Sequence, residues 1–183
     1  MYKIISHCIS QLLLISYLVS LFLLLSCTTT PATVMVENAN GGEILSGPNK
    51  GGVYRFGSKE DAQLAIDFSN AFVNKDYAFL STEHFTDSIY FYPEKGLDRL
   101  EFDIATAIEI IKGMHEPYDS IRRNVYDVIP VVPSYDESLT VVMFPFTETR
   151  YKKDGTVEQY RFFERHYIRE GKVTGVRKWS QEN

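Results

Sequence analysis

LTVVMFPFTETRYKKDGTVEQYRFFERHYIREGKVTGVRKWS, residues 139–180, alternates apolar and polar side chains with a period of two over most of its length. That period belongs to strands, whose successive side chains point to opposite faces of a sheet. Three strands are expected here, at Leu139–Arg150, Thr156–Ile168 and Lys172–Ser180. Asp154-Gly155 and Glu170-Gly171 separate them and supply the residues that tight hairpins need. A further strand is expected at Ile121–Val132, set off by Pro133-Ser134-Tyr135-Asp136. Consecutive strands joined by short turns make an antiparallel meander.

Upstream the period changes to that of helices. Ser58-Lys59-Glu60-Asp61 is a capping box, and Leu64, Phe68, Ala71 and Phe72 follow on one helical face. This helix should stop at Asn74-Lys75-Asp76. A short second helix is expected at Tyr77–Ser81, then a strand at Phe85–Tyr92 ended by Pro93 and Gly96. A third helix is expected from near Asp98, with Leu100, Ile104, Ala107, Ile108 and Ile111 on one face and Gly113 closing it. The expectation is an α+β domain over residues 58–183, with about three amino-proximal helices covering one face of a curved antiparallel sheet. The chain has 12 Phe, 12 Tyr and 1 Trp, enough aromatic surface for a sizeable core in a single domain.

The start of the chain has a different character. Lys3 is followed by LLLISYLVSLFLLL at residues 12–25, which carries no charge. This is the pattern of an export signal over residues 1–26. Leu24-Leu25-Ser26-Cys27 resembles the bacterial lipobox, which implies cleavage before Cys27 and a diacylglycerol on its thiol. An uncleaved membrane anchor is the alternative, since residues 4–25 are long enough to span. Either reading tethers the domain outside the cytoplasm. Residues 27–57 contain a stretch rich in Thr, Pro, Asn and Gly, and read as the acylated Cys and a flexible tether. Cys8 lies in the removed segment, so no disulfide and no free thiol nucleophile is expected.

Charge and motifs exclude several classes. Beyond the export segment, 18 basic residues face 24 acidic ones, a net of −6, which argues against nucleic acid as a partner. Gly42 to Gly52 lacks the Gly-Lys-Ser/Thr ending of a phosphate loop. No Gly-x-Ser-x-Gly element supports a hydrolase triad. His84, His115 and His166 have no metal-ligand spacing, and no metal or other cofactor is expected. His84 reads as a helix-end or interface residue and His115 as loop surface.

Three stretches together resemble the nuclear transport factor 2-like superfamily, with its SnoaL-like cyclases and ketosteroid isomerase. They are Ala62 to Tyr77, His84 to Phe91, and Tyr167 to Val173 followed by Trp179. The resemblance spans residues 58–179. It implies a cone-shaped cup of bent strands and helices around a pocket, and homodimerisation through the outer face of the sheet.

The resemblance also directs attention to particular side chains. Isomerase-like members place an acid before a Pro as general base, and here Tyr92 precedes Pro93. Tyr titrates near pH 10 and is a poor base at neutral pH. Glu164 matches the family's second pocket acid, and alternation places Phe162, Glu164, His166 and Ile168 on one strand face. Facing the cup, Glu164 and His166 form an acid–base pair; facing out, they are a solvated surface feature. Asp87 matches the pocket Asp of the SnoaL-like cyclases, or it serves its own turn. Tyr90, Tyr92, Phe144, Phe146 and Trp179 are expected to line the cup, with core packing as the alternative. Arg123, Arg161 and Arg177 offer positive charge to an anionic ligand, or make surface pairs.

Two functions follow. The first is a lipid-anchored envelope protein whose cup binds a small, partly apolar ligand or a partner protein without catalysis. The second is a cofactor-free isomerase, cyclase or dehydratase using Glu164 and His166. Thr28 after Cys27, instead of the inner-membrane Asp, resembles outer-membrane sorting and implies a periplasm-facing protein.

Overall fold

The computed structural model describes residues 40–93 and 98–182. The export segment, Cys27 and Gly96 lie outside them. Nine strands form one sheet: β1 (Asn40–Glu43), β2 (Val53–Phe56), β3 (Phe85–Tyr92), β4 (Leu100–Asp103), β5 (Tyr118–Val125), β6 (Ile129–Pro133), β7 (Leu139–Lys152), β8 (Val157–Arg169) and β9 (Lys172–Glu182). Their spatial order is β1-β2-β6-β7-β8-β9-β3-β4, and β5 also pairs with β7. All pairings are antiparallel except β3 with β9. The fold class read from the sequence holds: a curved, mainly antiparallel sheet with helices on one face.

Helix α1 (Lys59–Asn74) begins where the capping box predicts, with Ser58 Oγ accepting from the Asp61 N–H at 3.0 Å. It ends at Lys75 in the left-handed region, whose N–H returns to Ala71 and Phe72. Residues Tyr77–Phe79 form a single 3-10 turn where a second helix was expected.

Helix α2 (Ile104–His115) differs from expectation at both ends. Leu100–Asp103 is a strand, pairing Phe91 with Leu100 and Ile89 with Phe102. Leu-Glu-Phe-Asp alternates with period two, and the effective cap is Asp103, which accepts from the Thr106 N–H at 2.8 Å. Gly113 is interior to the helix. Termination falls at Glu116, which keeps right-handed helical backbone; Pro117 follows it and has no N–H to continue the helical ladder. Two α-helices and one 3-10 turn therefore stand where about three helices were expected.

The strand expected at Ile121–Val132 is two strands. β5 pairs Val125 with Phe146, and β6 resumes at Ile129 opposite Met143. The break faces Pro145, whose carbonyl accepts from the Tyr126 N–H on that side. A strand residue points its N–H and C=O the same way, so the donor that Pro145 lacks would have faced this edge.

The tether boundary also moves. Residues 40–43 and 53–56 are strands that extend the sheet beyond β6, with Tyr54 opposite Pro133 and Phe56 opposite Val131. Composition favoured a linker, but Val53-Tyr54-Arg55-Phe56 can pair with the edge of β6.

Alternation on the long strands creates two faces. Val142, Phe144, Phe146, Phe162 and Ile168 point inward and pack beneath Leu64 and Phe68 of α1 and Ile104, Ile108 and Ile111 of α2. The outer face carries Tyr90, Tyr92, Tyr167, Phe163, Arg177 and Trp179, linked by ring contacts. Gly175 lies under the Tyr90 ring, and a Cβ there would collide with it.

Candidate functional site

The inner face of the sheet is not uniformly apolar. Toward one end, β7 follows Phe144 and Phe146 with Glu148 and Arg150; β8 contributes Glu164 and His166, and β9 contributes Lys178. Arg123 joins them from β5. Each occupies an inward position in the period-two pattern, so strand alternation carries these charges into the interior.

Glu148 is 0% exposed and is clamped by two guanidinium groups, Arg123 Nε at 2.7 Å and Arg150 Nε at 2.6 Å. Burial acts to raise its pKa, but Arg123, Lys178 and Arg150 outweigh burial and hold the carboxyl below its ordinary value. Arg123 also donates to Ser69 Oγ of α1 at 3.2 Å and lies between the Phe72 and Phe146 rings.

Glu164 and His166 are both buried and hydrogen-bonded, Nε2 to Oε2, at 3.0 Å. Lys178 Nζ lies 3.6 Å from the other Glu164 oxygen and 3.8 Å from the centre of the Phe162 ring. Burial again acts to raise the Glu164 pKa; Arg123, the His166 hydrogen bond and Lys178 prevail and hold it at about 2. An ionised carboxylate only accepts, so Nε2 of His166 carries the proton of this bond. Nδ1 of His166 is buried and has no partner among the described residues.

A cavity of about 100 Å³ opens between α1, α2, β3 and β4. Its walls are apolar, with Phe68, Phe85, Ile89 and Phe102 among them, and partly exposed Ile110 and Met114 on α2 mark its rim. Its charged lining groups are Arg123, Glu164 and Lys178. His166 stands behind Glu164, flanked by Phe68 and Phe144 at ring distances of 5.6 and 5.2 Å. The anticipated pair is thus arranged in series, with Glu164 at the cavity and His166 supporting it.

Other expected site residues are placed differently. Phe144 and Phe146 are core residues with no exposure. Tyr90 borders the cavity, yet its ring packs on the outer face against Tyr167, under the guanidinium of Arg99. Tyr92 stacks with Arg177 on the outer face at 3.9 Å, and Trp179, 41% exposed, packs on Phe163. These two leave the cup because they have the opposite parity to Phe91 and Lys178. Asp87 is exposed on β3, outside the cavity lining. Arg161 is exposed too. His115 is buried instead of lying on a loop surface, with Nδ1 at 3.1 Å from the Tyr77 hydroxyl. His84 stacks on Phe79. The sequence reading missed Lys178, Glu148 and Arg150, although their parity with Val176 and Phe146 was available.

Solved structures share this architecture. An LEH-like epoxide hydrolase from M. tuberculosis matches with a TM-score of 0.54 at 14% identity, covering 68% of this chain and 84% of that one. An NTF2-like protein from Anabaena variabilis matches with a TM-score of 0.53 at 14% identity, over 70% and 96% of the two chains. The fold is nuclear transport factor 2-like. A candidate dehydratase of the NTF2-like family from Streptomyces avermitilis agrees, with a TM-score of 0.56 at 12% identity over 68% and 96%. No protein-family model matches the sequence, and no curated protein matches it. Within the nuclear transport factor 2-like fold, proteins with different chemistry share one scaffold, so function must be argued from the site.

Proposed function

We propose that the protein is a lipid-anchored envelope protein whose cup binds a small, partly apolar molecule without transforming it. One observation carries the reading: the cavity is walled by aromatic and aliphatic side chains, and the carboxylate at its edge is held ionised. With its pKa at about 2, Glu164 has no proton to donate at neutral pH and little basicity to take one. An apolar enclosure with a few placed polar groups is the usual form of a small-molecule site.

Native mass spectrometry of the full chain, released from its own host's membranes, tests this directly. The expected result is a retained non-protein mass that disappears in Met114→Trp, where an indole would block the rim. An empty wild-type cup under conditions that preserve the fold would overturn the reading. The same spectrum reads subunit number, and a dimer is expected through the outer face that carries Trp179.

The Leu24-Leu25-Ser26-Cys27 sequence supports the anchor. A membrane-impermeant amine reagent should leave the protein unlabelled in intact cells and label it once the outer membrane is permeabilised. Strong labelling of intact cells would place it on the outer surface instead.

The 3.0 Å Glu164–His166 bond favours a second reading, an acid–base enzyme of the isomerase, cyclase or dehydratase type. Glu164→Gln separates the two, because an enzyme would lose turnover while still binding substrate.

A further inference from the structure

The buried charges of the cup do not balance. Three cations, Arg123, Arg150 and Lys178, face two carboxylates, Glu148 and Glu164. Glu148 is shared between both guanidinium groups. Glu164 gives one oxygen to His166 and leaves only a distant contact for the ammonium. Lys178 is 7% exposed, and its nearest carboxylate oxygen, at 3.6 Å, is beyond hydrogen-bond range. A lysine ammonium carries three N–H donors, and leaving them unmet in a buried site is expensive. Burial lowers the Lys178 pKa; the opposing pull of Glu164 and Glu148 does not make up the difference, and Arg123 and Arg150 add to the depression.

This surplus lies beside empty space. Lys178 and Arg123 both line the apolar cavity, and Arg123 uses Nε on Glu148 and one terminal nitrogen on Ser69. A guanidinium has five N–H groups, so it retains donors for a further acceptor. Completing the cluster takes one negative charge with acceptor oxygens, attached to a body that suits aromatic walls.

We infer that the cup's ligand is a small, largely apolar monocarboxylate, with its carboxylate seated against Lys178 and Arg123 and its hydrocarbon part among Phe68, Phe85 and Phe102. A monoanion fits better than a dianion such as a phosphate monoester, because one charge restores neutrality and two would overshoot it. This inference rests on the ligand-binding reading above and names the ligand class.

The test uses 4-fluorophenylacetate and its neutral amide as probes, with fluorobenzene as the uncharged reference. An apolar cavity of about 150 Å³ admits a single aromatic ring; this one encloses about 100 Å³ and is open at the Ile110–Met114 rim, where the ring can protrude. The full chain is held in lipid nanodiscs, and affinities are read by fluorine NMR against empty nanodiscs. The expected result is at least tenfold tighter binding of the acid than of the amide. Lys178→Met should erase that preference while the amide still binds, and Met114→Trp should block both probes. Amide binding equal to or tighter than acid binding overturns the carboxylate assignment and leaves the binding reading intact. So does an acid preference that persists in Lys178→Met. Binding of none of the three probes counts against both. The acid-to-amide ratio of the unmodified protein decides the question even if Lys178→Met fails to fold.

Discussion

Glu148→Gln should lower the unfolding free energy by about 3–5 kcal/mol, read as a shift of the urea midpoint at pH 7. Glu148 is 0% exposed and is shared between Arg123 and Arg150, at 2.7 and 2.6 Å. Glutamine preserves the shape and removes the charge. Two guanidinium groups would then stay buried with no carboxylate between them, and the cluster's excess of one positive charge would become two. The cost comes from the abandoned partners more than from the lost attraction, since a buried ion pair as a whole contributes little net stability. Glu137→Gln is the control. Its ion pair with Arg55 is also short, at 2.8 Å, but both side chains are largely exposed. Exposed pairs contribute little, so that variant should unfold with the parent. Equal effects from the two substitutions would show that the interior cluster does not carry the stability assigned to it.

Strand β3 and the long strands β7, β8 and β9 are legible because period-two alternation persists over many residues and the hairpin turns are distinctive. The start of α1 is legible because Ser58 and Asp61 form a local cap. What failed depends on partners distant in sequence. Leu100–Asp103 becomes a strand because β3 is there to pair with it. Residues 40–56 join the sheet because β6 offers an open edge. The break between β5 and β6 is dictated by Pro145, some twenty residues away on β7.

The site was legible to a similar extent. Alternation placed Glu164 and His166 on one face, and the structure puts that face inward with the two side chains bonded. Parity alone could not say which face of β3 lines the cup, so Tyr92 was expected there and lies outside. It also could not show that Glu148, Glu164 and Lys178, from three different strands, meet in one interior. That meeting is a property of register: Phe144 opposite Glu164, and Glu164 opposite Lys178.

Acidification should unfold the protein through this interior. Glu164 titrates at about 2 in the folded chain against an ordinary 4.5. A carboxyl depressed by folding stabilises the native state above its unfolded pKa, and that contribution is lost as pH falls through the folded value. The window therefore runs from about pH 4.5 down to about pH 2, and the loss from Glu164 alone is about 3 kcal/mol. Glu148 is shifted in the same direction and deepens the fall. His115 acts at higher pH: burial, then Lys75 and Arg123, lower its pKa, so it begins to cost stability below its ordinary 6.5. Asp136 is also held at about 2, by its bond to Arg169, but that pair is partly exposed and screened by salt. Glu164→Gln makes the assignment testable. At pH 7 the variant should be the less stable protein, because Lys178 loses its nearby carboxylate. As pH falls toward 2 the parent's Glu164 becomes protonated and resembles the amide, so the two stability curves should converge. Urea midpoints measured at intervals between pH 7 and pH 2.5 provide the check. Curves that stay parallel over that range would mean that Glu164 does not drive the acid transition.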